Sequence, residues 1–256
     1  MATPAPVRFM EAGFRRYKHT WRASVFSTFV NPILLLLSLG IGLGSLVDER
    51  GGPGGIAYVT WLAPGLLAAS AMQTAAGESS YPVMAGIRWI KSYDAALATP
   101  LTVRDLALGH IGWVGVRLTQ MLVVYAGVIV AFGAADPVRG FVAVMPALLT
   151  GLTFACVITA YTARLENETG LSSLFRFGIV PLFLFSGTFF PISQLPQFMQ
   201  PIAWITPLWH GVELTRSLAL ATPPTFSPVV HIAYLLVVGV AAGALSVRFL
   251  ERQVVK

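Results

Sequence analysis

The chain has 256 residues, of which 55% are apolar and only 11% charged, and it carries a net charge of +6. An ordinary soluble domain is about 25% charged, so this composition excludes a typical water-soluble enzyme and also disordered, collagen-like and disulfide-rich chains. The mean hydropathy of +0.72 agrees with this, and the single cysteine, Cys156, cannot form an internal disulfide.

The N-terminal segment, residues 5–22, has the pattern of an amphipathic helix. Its apolar side chains recur three and four positions apart along one face, and its charged side chains do so along another. This pattern is typical of a helix in the cytoplasmic headgroup layer of a membrane, and we expect no cleavable signal here. A basic flank that only sets topology is the alternative. The apolar face comprises Val7, Met10, Phe14, Tyr17 and Trp21, and the charged face Arg8, Glu11, Arg15, Lys18 and Arg22.

Long charge-poor runs follow this segment. A helix needs about 20 apolar residues to cross a bilayer, and the runs lack the alternation of barrel strands. They therefore predict an all-α integral membrane protein, a single transmembrane domain with six transmembrane helices. We place the spans near residues 25–46, 57–78, 107–133, 141–163, 173–190 and 229–248.

The charge-free run at residues 177–212 is too long for one crossing and is rich in proline. Because proline breaks helices, we expect one span and then broken helices over residues 191–228, on one face of the membrane. No internal repeat is evident, so an inverted-repeat secondary transporter gains no support. The prolines are Pro181, Pro191, Pro196, Pro201 and Pro207.

The basic residues predict the topology. Of the 17 Lys and Arg residues, thirteen flank the spans on the side that holds both termini, and three lie on the other side. The positive-inside rule therefore predicts that both termini are cytoplasmic. The net charge then reflects topology, and we expect no nucleic-acid partner.

Catalytic motifs are missing from the sequence. A P-loop needs a Gly-Lys pair, but the three lysines follow Tyr17, Ile90 and Val255, so we do not expect this chain to hydrolyse ATP by that route. The histidines fall in separate segments without metal-binding spacing, so we expect no metal site. They are His19, His110, His210 and His231.

Two arrangements could still carry chemistry. Ser186 and His210 could form the dyad of an intramembrane serine hydrolase, although no nucleophile-elbow motif surrounds the serine. Arg117, inside the third span, could snorkel to the interface, pair with Glu78, or face an aqueous cavity as the functional charge of an ion-coupled carrier or channel.

Glu213 and Arg216 lie three residues apart within an apolar stretch. That spacing allows them to pair on one helix face. Their presence also suggests a helix that enters the outer leaflet beside a pore.

Two motifs carry a family resemblance. The loop at residues 87–105 contains Thr99-Pro100-Leu101, and the outer stretch contains Ser186-Gly187-Thr188-Phe189-Phe190-Pro191 followed by Pro207-Leu208-Trp209-His210. Together, and in this order along nearly the whole chain, they resemble the ABC-2 type transporter permease family. The similarity is greatest to the branch of nodulation lipo-oligosaccharide and daunorubicin-resistance exporters.

The resemblance implies the permease subunit of an ATP-driven exporter in the bacterial inner membrane. Such a permease forms a homodimer, or a heterodimer with a second permease, amid membrane lipids. It docks on two ABC ATPase subunits, which bind the ATP and Mg. The chain itself would then be no enzyme and need no cofactor, and its substrate would be a lipid, oligosaccharide or drug.

The resemblance also implies that residues 85–104 form a coupling loop that seats in the ATPase. An ordinary amphipathic connector is the alternative. The family often has a glutamate near Asp94, and aspartate keeps the charge with a shorter reach. The implied coupling residues are Arg88, Trp89, Lys91, Asp94, Thr99, Pro100 and Leu101.

By the same resemblance, residues 191–228 form a re-entrant outer gate. The alternative is that its aromatic residues belong to the interfacial belt of the membrane. The implied gate and exit residues are Ser186, Gly187, Phe189, Phe190, Pro191, Glu213 and Arg216.

Overall fold

The computed structural model describes residues 4–254, except for the side chains of residues 16, 20–29, 31, 32 and 41. Within the described residues every regular element is helical, as the predicted all-α class requires. The predictions that rest on the side chains of Trp21 and Arg22, and on Lys256, lie outside the described residues.

The first helix, α1 (Ala5–Leu35), runs without a break from the amphipathic segment into the first predicted span. A π-helical stretch (Leu36–Leu43) and α2 (Gly44–Asp48) continue it. Residues 5–22 are therefore the first part of a longer helix. Along α1 the side chains change from charged to apolar, so the two parts of the helix suit different surroundings. The i→i−4 hydrogen bonds of the backbone do not depend on this change and continue through it.

Short helices separate the long ones along the rest of the described chain. The connections include two further π-helical turns, over Ala85–Trp89 and Phe175–Ile179. The helices are α3 (Tyr58–Ser79), α4 (Tyr81–Met84), α5 (Ser92–Leu97), α6 (Val103–Ala131), α7 (Pro137–Val142), α8 (Val144–Thr162), α9 (Thr169–Leu174), α10 (Val180–Phe185), α11 (Gln200–Ile205), α12 (Pro207–Leu220) and α13 (Pro228–Val254).

Three helical stretches of the described chain are long and apolar enough to cross a membrane: Val103–Ala131, Pro137–Thr162 and Pro228–Val254. The fifth predicted span corresponds to a shorter apolar helix, Thr169–Phe185. It ends before residue 190 because Gly187, with φ of +79°, turns the chain. The count of six crossings stays a prediction.

The core is built around α3, in which 16 of 22 residues are buried. The helices α6, α8 and α12 pack against it. Small residues allow close approach, as is usual where helices meet in membranes. A Cβ at Gly151 would lie 3.3 Å from Ala71, and a Cβ at Gly211 would overlap Thr150.

Both ends of the described chain lie at the same end of the bundle. Phe9 of α1 contacts Tyr93 of α5, and Gln253 near the end of α13 bonds to Arg88. We call this end, with residues 5–15, 85–105 and 248–254, the terminal end. The opposite end, with residues 48–57 and 186–228, is the distal end.

Candidate functional site

The predicted coupling loop has a defined shape at the terminal end. After the π-helical turn, Lys91 adopts the left-handed conformation, with φ of 54°, and reverses the chain into α5. Pro100 then follows α5 and precedes α6. The loop therefore contains a short helix between two bends.

One side of this loop faces outward. Trp89 is 53% exposed and Ile90 is 72% exposed. Lys91 is exposed beside them, and Asp94 is exposed in the first turn of α5. Exposed apolar residues rimmed by charges are typical of a surface that contacts another protein or a membrane.

The predicted coupling residue Arg88 is bound within the chain. Its guanidinium donates to the backbone oxygen of Leu165, at 3.2 Å, and to the side-chain oxygen of Gln253, at 2.8 Å. Arg88 therefore ties the loop to the segment after α8 and to α13.

Tyr93, which the sequence analysis did not select, anchors the same loop to α1. Its ring is buried and packs edge-on against Phe9, with 6.0 Å between ring centroids. The ring also fills the space that a side chain at Gly86 would occupy. The contact thus joins α5, the π-helical turn and α1.

The end of the loop is fixed by a capping box at the start of α6. The Thr102 hydroxyl accepts from the backbone N–H of Asp105, and the Asp105 carboxylate accepts from the backbone N–H of Thr102. The preceding Thr99 hydroxyl donates to the backbone oxygen of Ala96. The spacing Thr-x-x-Asp is the signal that could have identified this cap from the sequence.

Arg117 pairs with Glu78, the second of its three predicted roles, and the two side chains also line a cavity of about 220 Å³. The two side chains are 3.1 Å apart, with exposures of 13% and 25%. Arg117 also donates to Gln120 and lies over the ring of Tyr17, 4.4 Å from its centroid. Tyr17 was expected in the lipid, but its hydroxyl accepts from Gln120. Met10, on the same predicted apolar face of residues 5–22, likewise lies against α6, at Gly112.

At the distal end, Arg216 is buried between α12 and α3. Its guanidinium lies 3.7 Å from the centroid of the Trp61 ring. It donates to the backbone oxygens of Trp61, at 3.2 Å, and Gly187, at 2.9 Å. It also lies 3.9 Å from the Glu213 carboxylate, as the spacing of these two residues predicted. Glu213 in turn accepts from the backbone and hydroxyl of Thr225.

The turn after α10 is held on both sides. The Ser186 hydroxyl lies 3.3 Å from that of Thr206, the residue that caps α12. The backbone oxygen of Phe189 accepts from the Tyr58 hydroxyl at 2.9 Å. Phe190 packs edge-on against Phe185. The turn therefore links α3, α10 and α12.

A cavity of about 370 Å³ opens beside this turn. The structure brings four of the predicted gate residues to its lining, whereas Ser186, Phe189 and Phe190 are not among the lining residues. The sequence analysis missed the tryptophans, because in an apolar span they carry no signal that separates a cavity from lipid. The lining includes Gly187, Pro191, Glu213 and Arg216, with Trp61, Trp204 and Trp209.

The Ser186–His210 dyad is not formed. His210 Nδ1 lies 2.8 Å from His231 Nδ1, and the His210 ring stacks on Tyr234. Ser186 instead contacts Thr206. Among the described residues, no group of three or more His, Cys, Asp or Glu residues is placed to hold a metal ion.

Known proteins resemble this chain over most of its length. The family described as "ABC-2 type transporter" matches residues 8–220, which include the predicted coupling loop and the predicted outer segment as far as residue 220. Nodulation protein J of Sinorhizobium fredii is 32% identical over 253 residues, covering 94% of this chain and 92% of that protein. Nodulation protein J of Rhizobium meliloti is 30% identical over 225 residues, covering 86% and 83%. The inner membrane transport permease YadH of Escherichia coli is 22% identical over 200 residues, covering 77% and 76%.

Proposed function

Because the chain belongs to the ABC-2 type transporter family, we propose that it is the permease subunit of an ATP-driven exporter. Two separate ABC ATPase subunits bind ATP and Mg and supply the energy. A dimer of permeases, identical or different, moves an amphipathic or lipid-linked substrate outward across the bacterial inner membrane. In this proposal the terminal end faces the cytoplasm.

The observation that carries the proposal is the exposed surface of the coupling loop. Trp89 and Ile90 expose apolar area at an end of the bundle that is rich in charge, next to Lys91 and Asp94. A partner that covers them gains hydrophobic burial, and the flanking charges orient it. The sequence also has no Gly-Lys pair of its own, so an ATP-driven mechanism places the P-loop on another chain.

The contacts of the coupling loop can transmit a displacement of the loop to the long helices. Arg88 connects it to α13, Tyr93 connects it to α1 through Phe9, and the Thr102 cap connects it to α6. A force on Trp89 is therefore delivered to three helices through packed or hydrogen-bonded contacts. Such contiguous contacts are a physical route by which ATPase closure can rearrange the bundle.

At the distal end the cavity beside Arg216 is the proposed exit. The Gly187 turn and α12 form its walls, and Arg216 bonds one to the other through the Gly187 backbone oxygen. A rearrangement that moves α12 away from α3 breaks these bonds and widens the cavity. This fits a gate that stays shut until the ATPase acts.

The test measures complex formation and ATP-driven transport separately. The tagged chain is co-expressed with its ATPase subunit, purified, and reconstituted in proteoliposomes with daunorubicin and an NBD-labelled short-chain lipid as amphipathic probes. We expect the ATPase to co-purify and at least one probe to move only with ATP. Transport that persists without any ATPase would overturn the proposal.

Matched variants locate the docking surface. Trp89→Ala and Asp94→Asn should reduce ATPase co-purification and transport while the permease remains folded. Met145→Ala removes an apolar side chain that is 71% exposed on α8, away from the loop, and should change neither. If Met145→Ala and Trp89→Ala lost ATPase co-purification and transport equally, the loop would not be the docking surface.

A further inference from the structure

A second surface feature lies apart from both loops. A groove of about 700 Å³ runs between α13 and α8 and reaches the start of α6. On α13 its lining begins at Leu235 and ends at Glu251, which at 1.5 Å per residue is a length of roughly 24 Å. Its floor on α8 includes Leu149, Leu152 and Cys156.

The apolar part of the groove is open. Val240 is 71% exposed, Leu108 is 51% exposed and Leu236 is 48% exposed, although each of them lines the groove. Aliphatic side chains with this exposure, in a helix apolar enough to cross a membrane, are in contact with hydrocarbon rather than water.

The groove ends at a cluster of arginines at the terminal end. A second cavity of about 600 Å³ is lined by Arg104, Arg248, Glu251 and Arg252. Arg104, Arg248 and Glu251 also line the apolar groove, so the two cavities are adjacent and share these side chains. The lining holds three arginines and one carboxylate, Glu251, and the Asp105 carboxylate lies beside Arg104. An excess of one positive charge remains.

This combination fits one class of molecule. A bilayer with its headgroups is about 40–45 Å thick, so one leaflet is close to the length of the groove. A phosphate at the mouth would accept charge-assisted hydrogen bonds from the arginine guanidinium groups. An acyl chain would lie along the aliphatic wall of α13.

We propose that the groove between α8 and α13 is a binding site for an anionic glycerophospholipid of the leaflet at the terminal end. Its acyl chain lies between Leu235 and Val247, and Arg104, Arg248 and Arg252 bind its phosphate. A second copy of this chain fits less well, because a two-fold contact here would bring the same arginine cluster against itself. This proposal does not rest on the proposed function.

The test compares two lipids with the same acyl chains on the purified full-length chain. Native mass spectrometry and thermal unfolding are measured with phosphatidylglycerol and with phosphatidylcholine. We expect phosphatidylglycerol to be retained preferentially and to raise the unfolding temperature more. Equal retention of both lipids would overturn the proposal.

Two pairs of variants separate headgroup from chain. Arg248→Gln/Arg252→Gln should weaken phosphatidylglycerol binding on the order of tenfold, whereas Arg50→Gln/Arg139→Gln removes the same charge elsewhere and should not. Ala244→Phe fills the groove and should reduce retention of the lipid, whereas Val237→Phe, outside the lining, should leave it unchanged.

Two further outcomes count against the proposal. Phosphatidylglycerol retention that is unchanged in Ala244→Phe and in Arg248→Gln/Arg252→Gln would overturn it. So would a shift from dimer to monomer in Ala244→Phe, because the groove would then be occupied by a second copy of the chain.

Discussion

The guanidinium of Arg216 lies over the ring of Trp61, 3.7 Å from its centroid, and donates to the backbone oxygen of the same residue. One side chain of α12 thus holds both the ring and the backbone of α3. A third contact, to the Gly187 backbone oxygen, brings in the turn after α10. Arg216 therefore joins α12, α3 and the Gly187 turn at the distal end.

Replacement of Arg216 should destabilise the protein strongly. Arg216→Met keeps much of the side-chain volume but leaves the Gly187 backbone oxygen without its partner, at about 1–3 kcal/mol when it is buried, and removes the guanidinium from the Trp61 ring. We expect a clear fall in the thermal unfolding temperature in detergent. Arg139→Met, at an exposed arginine of α7, is the control and should have little effect.

Gly86→Ala should uncouple transport from ATP hydrolysis. A Cβ at this position would lie 2.5 Å from the Tyr93 ring, so the ring and α5 have to move away from Phe9. We expect fewer probe molecules transported per ATP, with little change in expression. Gly77→Ala introduces the same atom where nothing lies within 4 Å. An equal fall in molecules transported per ATP in Gly77→Ala would argue against a role of the Tyr93 contact in coupling.

The ion pair of Arg117 and Glu78 should behave as a structural unit. Each single variant, Arg117→Gln or Glu78→Gln, leaves a partly buried charge unpaired. The cost should lie between the roughly 1 kcal/mol of exposed pairs and the about 3–5 kcal/mol of buried ones. The double variant should be more stable than the less stable single variant. If the double variant regains stability but not transport, Arg117 has a role in transport beyond this pair.

Thr102→Ala should loosen the start of α6. Loss of an N-cap hydroxyl costs about 1 kcal/mol, which corresponds to roughly five-fold faster local opening. Hydrogen exchange of the Asp105 and Leu106 amides, which bond to Thr102, measures this directly. Thr99→Ala removes a hydroxyl that donates to the backbone oxygen of Ala96 rather than to the start of α6, and it should leave those amides unchanged.

Two kinds of contact were predictable from the sequence: contacts between residues close together in the chain, and ion pairs of charged residues at membrane depth. Glu213 and Arg216 pair because three residues separate them on one helix. The pairing of Arg117 with Glu78 was one of three expectations because an unpaired charge at that depth is unfavourable. The prolines of residues 191–228 correctly indicated broken helices.

Contacts between distant segments were not predictable. Arg88 bonds to Leu165 and Gln253, and Arg216 bonds to Trp61, across long stretches of chain. Neither helical periodicity nor charge spacing encodes which distant backbone oxygen a guanidinium will reach. The end of the charged segment near residue 22 predicted a boundary between two helices, because charged residues mark the membrane surface. In the structure α1 continues through that position.

The central helix has a consequence for biogenesis. Although α3 is the most enclosed helix described here, it is not among the stretches apolar enough to span a membrane by themselves. The helices that surround it, α6, α8 and α12, are all synthesised after it. We therefore expect α3 to leave the translocon late, retained until its later neighbours emerge and enclose it.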